Sequence, residues 1–188
     1  MFEKANRGGY GKVLGILGGA IAGGVALATA VPILKKRALR ATTILKKDHR
    51  AVSALFWALQ QTTNPSIRKS IFNQIRSQID LHAQVEEEIF YPAVRNLYTA
   101  VAEQHVDEAN HEHRQIKDLC HQVSMIDANS YAFMSKVNEL KEKVEHHVEE
   151  EENEMFPLAE NNMSGEELDR LGRQMHERKV NPKERIAA

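Results

Sequence analysis

From about residue 41 onward, apolar side chains recur every three to four positions, and no run shows the period-two alternation of a half-buried strand. Four stripes emerge. The first carries Leu45, Val52, Leu55, Phe56 and Leu59; the second Ile75, Ile79, Val85 and Ile89; the third Val106, Ile116, Cys120 and Val123; the fourth Leu140, Val144 and Leu158. Helices are therefore predicted over 43–61, from the Thr62-Thr63-Asn64-Pro65-Ser66 break to about 91, over 95–125, and from the 127–130 turn to about 155, with Pro92 and Pro157 expected to stop or kink the second and fourth. Short connections force neighbours antiparallel, so the expected fold is all-α, an up-down-up-down four-helix bundle. Ser164-Gly-Glu-Glu167 forms a capping box that opens a short further helix, whose Leu168, Leu171 and Met175 share one side and are expected to pack on the bundle. The organisation read from the chain is an apolar amino-terminal segment (1–40), the bundle (41–160) and a carboxy-terminal helix and tail (161–188).

Six polar residues interrupt these stripes from within. His49, His82, Glu86, His113, His147 and Glu151 all fall at helical spacing among core positions. They come as two copies of one pattern: Asp48-His49-Arg50 precedes His82-x-x-x-Glu86-Glu87 and Tyr91-Pro92, and Glu112-His113-Arg114 precedes His147-x-x-x-Glu151-Glu152 and Phe156-Pro157. Four residues apart on a helix, His and Glu stand one turn above each other on the same face. Two copies facing inward bring four imidazoles and two carboxylates together. His111 and His146 have charged neighbours at helical spacing and are expected to face water; His105 borders a stripe. Of the remaining acids, Glu149 and Glu150 read as a solvated face, and Glu87, Glu88 and Glu152 as solvated or supporting the centre.

A buried unpaired carboxylate costs several kcal/mol or takes up a proton, and no Lys or Arg occupies a matching core position. A bound cation supplies the missing charge. Imidazole and carboxylate without thiolate suit iron or manganese and tolerate zinc. The chain has 188 residues, a net charge of -1 and a single cysteine. Its near-neutrality argues against nucleic acid as a main partner, and Cys120 has no partner for a disulfide or a zinc-type pair, so it reads as a small core residue.

Residues 13–34 carry no charge and are long enough to span a bilayer as a helix, with Gly15, Gly19 and Gly23 on one ridge. Three readings stand: a membrane anchor, a cleaved signal peptide ending near Ala28 or Ala30, and a peripheral arm. The anchor is favoured. Lys35, Lys36, Arg37 and Arg40 outnumber the basic residues before the segment, which for an anchored chain puts the bundle in the cytoplasm at the inner membrane.

The doubled His-x-x-x-Glu with its aromatic-Pro ending resembles bacterial hemerythrin-like proteins that carry an HHE cation-binding domain, over roughly residues 45–157. The resemblance implies a non-haem di-iron centre in a four-helix bundle, with Glu86 and Glu151 bridging two iron ions. It also implies a small oxidant as partner, such as dioxygen, nitric oxide or peroxide, or a part in iron handling under stress. Oxygen-carrying hemerythrins place two histidines four apart on the third helix, whereas the partner positions of His113 here are Ala109 and Lys117. The centre is thus expected to be one ligand short of the carriers, leaving positions open for chemistry. An oxidant-binding or sensing protein, a di-iron enzyme acting on peroxide or damaged iron centres, and a metal-free membrane scaffold are the functions to separate.

Overall fold

The computed structural model describes residues 39–181. Residues 1–38, and with them the candidate membrane span, lie outside the described residues, as do 182–188. Among the described residues no helix is long and apolar enough to cross a membrane. The chain there is helical, with α1 at Ala41–Gln60, α2 at Pro65–Val85, α3 at Tyr91–Arg95, α4 at Ala100–Ser124, α5 at Tyr131–Glu150, α6 at Phe156–Asn162 and α7 at Gly165–Val180. Two five-residue π-helical segments, Glu86–Phe90 and Glu151–Met155, join α2 to α3 and α5 to α6. Helices α1, α2–α3, α4 and α5–α6 are the four staves of the expected bundle.

Local chemistry sets the boundaries. Asn64 caps α2 by accepting from the Ser66 and Ile67 amides, with Pro65 at the first helical position where its missing N–H costs nothing. Thr99, Ser130 and Ser164 cap α4, α5 and α7 in the same way. The third helix begins at Ala100 rather than at the expected 95, because the chain turns through 96–99 and Tyr98 takes a left-handed backbone with φ 54°.

Neither proline ends its helix. In each copy the π turn closes with a bond five residues back, from the Tyr91 amide to the Glu86 carbonyl and from the Phe156 amide to the Glu151 carbonyl. The widened turn places Pro92 and Pro157 in the first turn of the next α-helical stretch, where no four-back bond is due, and the helices run on to Arg95 and Asn162.

The apolar stripes form two clusters. One, around Phe56, Phe72, Ile75, Phe133 and Leu140, fills the end of the bundle nearest the α1–α2 and α4–α5 connections. The other gathers Leu45, Val85, Phe90, Val106 and Phe156, and takes in Leu171 and Met175 of α7. Helix α7 does pack on the bundle, chiefly against α1. Gly172 makes this approach close: a Cβ there would fall 1.6 Å from the Leu39 carbonyl oxygen. Between the two clusters lies a belt of buried polar groups.

Candidate metal centre

All six residues read from the pattern meet in that belt. His49 comes from α1, His82 from α2, His113 from α4 and His147 from α5, while Glu86 and Glu151 open the two π segments. Each is buried; Glu86 is 0% and Glu151 1% exposed. Two histidine pairs form. His49 and His82 bring their Nε2 atoms to 3.0 Å, and His113 and His147 bring theirs to 3.1 Å.

The two carboxylates link the pairs. Glu86 Oε2 lies 3.2 Å from His82 Nε2 and 3.4 Å from His113 Nε2; Glu151 Oε2 lies 3.3 Å from His49 Nε2 and 3.6 Å from His147 Nε2. Each glutamate therefore touches the histidine of its own helix and one from the opposite pair. Exchanging the two copies maps this set of contacts onto itself.

Every ring is held from behind by a carboxylate. His49 Nδ1 meets Glu152 at 2.8 Å and His113 Nδ1 meets Glu87 at 2.9 Å; His147 Nδ1 meets Glu112 at 3.0 Å and His82 Nδ1 meets Asp48 at 3.4 Å. A carboxylate accepting from Nδ1–H fixes the tautomer and turns the Nε2 lone pair inward. Lysines balance three of these outer acids: Lys117 at Glu87, Lys143 at Glu112 and Lys179 of α7 at Asp48. Hydrogen bonds from His113 and then Lys117 hold Glu87 at about 2. Burial pushes Glu112 up, but bonds from His147 and Lys143 outweigh it and hold Glu112 at about 2 as well.

The inner groups have no such balance. Both oxygens of Glu86 and Oε2 of Glu151 are buried without a hydrogen-bond partner, so two carboxylates lie in an apolar interior beside imidazole lone pairs. Burial, and then repulsion from Glu151, raises Glu86 well above the usual carboxylate range. Burial would raise Glu151 too, but His147 and His49 outweigh it and hold it low. Burial lowers His82 to about 4. Protons stand where positive charge is wanted.

Ligand spacing fits a metal. Imidazole nitrogens lie about 2.0–2.1 Å from first-row ions such as zinc, so cis donors at right angles are about 3.0 Å apart and tetrahedral ones about 3.4 Å. The two Nε2 pairs match the right-angled value. His49, His82, Glu86 and Glu151 offer atoms all within 4.8 Å of one another, as do Glu86, His113 and His147.

The sequence profile of the hemerythrin HHE cation binding domain matches residues 40–159. The chain belongs to the hemerythrin HHE cation-binding family. A DNA nickase of Nostoc sp. is 32% identical over 134 residues, 71% of this chain and 37% of that protein, so the chain spans little more than a third of this relative. An uncharacterized hemerythrin-like protein of Schizosaccharomyces pombe is 24% identical, over 73% of this chain and 68% of that one. The crystal structure of a hemerythrin HHE cation binding domain-containing protein from Mycobacterium kansasii is similar, with a TM-score of 0.67 and 25% identity over 76% of this chain and 86% of that one.

Within the HHE bundle the spacing of the motif missed Asp48 and Glu112, while Glu87 and Glu152, read as solvated or supporting the centre, take the supporting part. Asp48, Glu112, Glu87 and Glu152 orient rings on other helices, contacts that no single helical face displays. Their signal was present: each adjoins one of the six in both copies. Tyr91 also enters the centre. Its ring stacks on His113 at 5.5 Å and its hydroxyl donates to Glu151 Oε1 at 2.9 Å, while its counterpart Phe156 stacks on His49 at 5.7 Å with no hydroxyl to offer. The π turn explains both positions, since it brings the fifth residue after the glutamate against the histidine rings, while the fourth, Phe90 or Met155, packs in the apolar cluster. Burial, and then the charge of Glu151, keeps the Tyr91 phenol protonated by raising it well above its usual range. His146 is 56% exposed and His111 also faces water, as their neighbours implied; His176 is exposed too. Cys120 is buried and free, its thiol pushed up to about 12 by burial.

Proposed function

We propose that this protein is a non-haem di-iron protein whose centre binds dioxygen, nitric oxide or a related small oxidant. One observation carries the reading: two histidine pairs, with Nε2 atoms 3.0 and 3.1 Å apart, linked by two buried carboxylates of which Glu86 has no hydrogen-bond partner on either oxygen and Glu151 none on Oε2. In it, His49 and His82 would hold one ion and His113 and His147 the other, with Glu86 and Glu151 lying between the pairs. Imidazole and carboxylate donors without thiolate support iron or manganese; the family's chemistry supports iron. When bound, the ions supply electrons and a Lewis acid to a small ligand.

The chain's own residues prepare the place. The outer carboxylates keep the rings in one tautomer. Val52, Ile79, Ala83, Ile116, Val144 and Val148, with the four histidines, line a cavity of about 20 Å³ against the centre. Such an apolar chamber of molecular size suits a diatomic gas better than a charged substrate. Tyr91 adds a second reading, turnover of peroxide, because a buried phenol bonded to Glu151 can give or take a proton beside the ligands.

The nickase activity named for the Nostoc relative is not extended to this chain, of which the match covers only a third of that protein. Iron-loaded protein exposed separately to dioxygen, nitric oxide and peroxide tests the function. A ligand-dependent absorption change without turnover supports binding, and peroxide consumption lost in Tyr91→Phe supports the enzyme. No change with any of the three would remove both readings.

A further inference from the structure

Counterpart positions in the two copies agree where they build the centre and diverge on one face beside it. The first copy has Ala41, Ile44, Leu45, Leu81, Val85 and Ile89; the second has His105, Glu108, Ala109, His146, Glu150 and Glu154 in the same places. Of the first set, Ala41, Leu45, Val85 and Ile89 join the apolar cluster sealed by Leu171 and Met175 of α7. Of the second, His105, Glu108, Ala109 and Glu150 border a cavity of about 10 Å³ between α4 and α5, whose inner wall is His147 and Glu151, and His146 stands beside Glu150. The same bundle groove is thus closed on one side and polar on the other.

The outer end of this groove offers ligands. Glu112, His146 and Glu150 present atoms all within 4.8 Å of one another, with His146 Nε2 3.3 Å from Glu150 and 3.6 Å from Glu112. Glu112 is shared: Oε1 faces this group and Oε2 holds His147 of the centre at 3.0 Å. At the inner end, Glu151 is buried and its Oε2 has no hydrogen-bond partner, so a negative group awaits a cation there too. Ala109 lies between. Its counterpart Leu45 is fully buried and fills the corresponding place, whereas the methyl of Ala109 leaves the cavity open. Lys143, whose Nζ is 2.6 Å from Glu112 Oε1, already places a positive charge in the outer group.

We propose that this groove is the route by which divalent transition-metal ions reach the centre. Glu112, His146 and Glu150 capture the ion at the surface, Lys143 swings out as it arrives, and the ion passes Ala109 to His147 and Glu151. Mixed imidazole and carboxylate ligands select iron(II), manganese(II) or zinc(II) over magnesium or calcium. The inference rests on the reading of the centre as a metal site.

The test mixes metal-free full-length protein with cobalt(II), whose visible absorption reports uptake, at low metal concentration in stopped flow. H146A/E150Q alters an exposed histidine and a half-exposed glutamate and should load roughly tenfold more slowly, the scale on which focused charge changes capture rates, while reaching the same final occupancy. A109L should also load slowly, K143Q faster than wild type, and H111A, exposed away from the groove, at the wild-type rate. An H146A/E150Q variant that loads as fast as wild type would overturn the route, whatever A109L does. Wild-type protein that takes up no cobalt would instead overturn the centre itself.

Discussion

Glu86→Gln should stabilise the metal-free protein and weaken metal binding, two effects of opposite sign from one substitution. Glu86 is wholly buried and neither oxygen has a hydrogen-bond partner. Folding without metal therefore raises its carboxyl well above the ordinary 4.5, through burial and then repulsion from Glu151. A carboxyl raised by folding keeps a proton that the unfolded chain gives up. Its contribution is most favourable below about pH 4.5 and is lost as pH rises from there. Each pH unit is worth about 1.4 kcal/mol, so keeping Glu86 protonated at pH 7 costs at most about 3 kcal/mol. The amide of Gln carries no such cost and can donate to His82 and His113, whose Nε2 atoms lie 3.2 and 3.4 Å from the oxygen it replaces. Metal-free Glu86→Gln should melt up to about 6–12 °C above metal-free wild type at pH 7, with the gap closing toward pH 4.5. Adding iron(II) should raise the melting temperature of wild type and leave the variant nearly unchanged. Thermal unfolding followed by circular dichroism, with and without chelator from pH 4.5 to 7.5, makes the comparison. Equal stability of the two metal-free proteins at pH 7 would refute the raised carboxyl on which the prediction stands.

Because the two copies contribute equivalent ligands, His82→Ala and His147→Ala should lower equilibrium iron content to a similar extent, whereas His111→Ala, His146→Ala and His176→Ala should leave it intact; elemental analysis of reconstituted protein checks this. Glu112, held at about 2 by His147 and Lys143 against its burial, contributes stability that is present above pH 4.5 and lost as pH falls toward 2. Glu112→Gln should therefore cost about 1–3 kcal/mol near neutrality and flatten the acid limb, as read by urea unfolding at pH 3 and pH 6. Gly172→Ala should cost about 1–3 kcal/mol, because the added methyl would overlap the Leu39 carbonyl; an unchanged urea midpoint would show that α7 does not hold the start of α1 so closely.

The bundle and the six inner residues were legible because both rest on short-range periodicity. His49 among Leu45, Val52 and Phe56, and Glu86 one turn beyond His82, sit where a 3.6-residue repeat puts them, and the second copy repeats the message. What escaped depends on departures from that repeat or on contacts between helices. The π turns at Glu86 and Glu151 move Tyr91 and Phe156 onto the core by one position, which a regular helical projection hides. Pro92 and Pro157 read as stops or kinks for the same reason. Glu87 and Glu152 look like members of acidic runs, and only the packing of α4 beside the first π segment and of α1 beside the second turns them toward His113 and His49. The seal of α7 over one groove, with its opposite left polar, is a tertiary fact, although the contrast between Leu45 and Ala109 was already written in the duplicated sequence.

The account stands or falls on how many ions the belt holds. Anaerobic titration of metal-free full-length protein with iron(II), followed by calorimetry and by iron retained after gel filtration, should break at two equivalents per chain, and replacing Glu86 and Glu151 together by Gln should abolish tight uptake. A break at one equivalent, or tight uptake that survives loss of both glutamates, would contradict a centre built from two histidine pairs and two shared carboxylates.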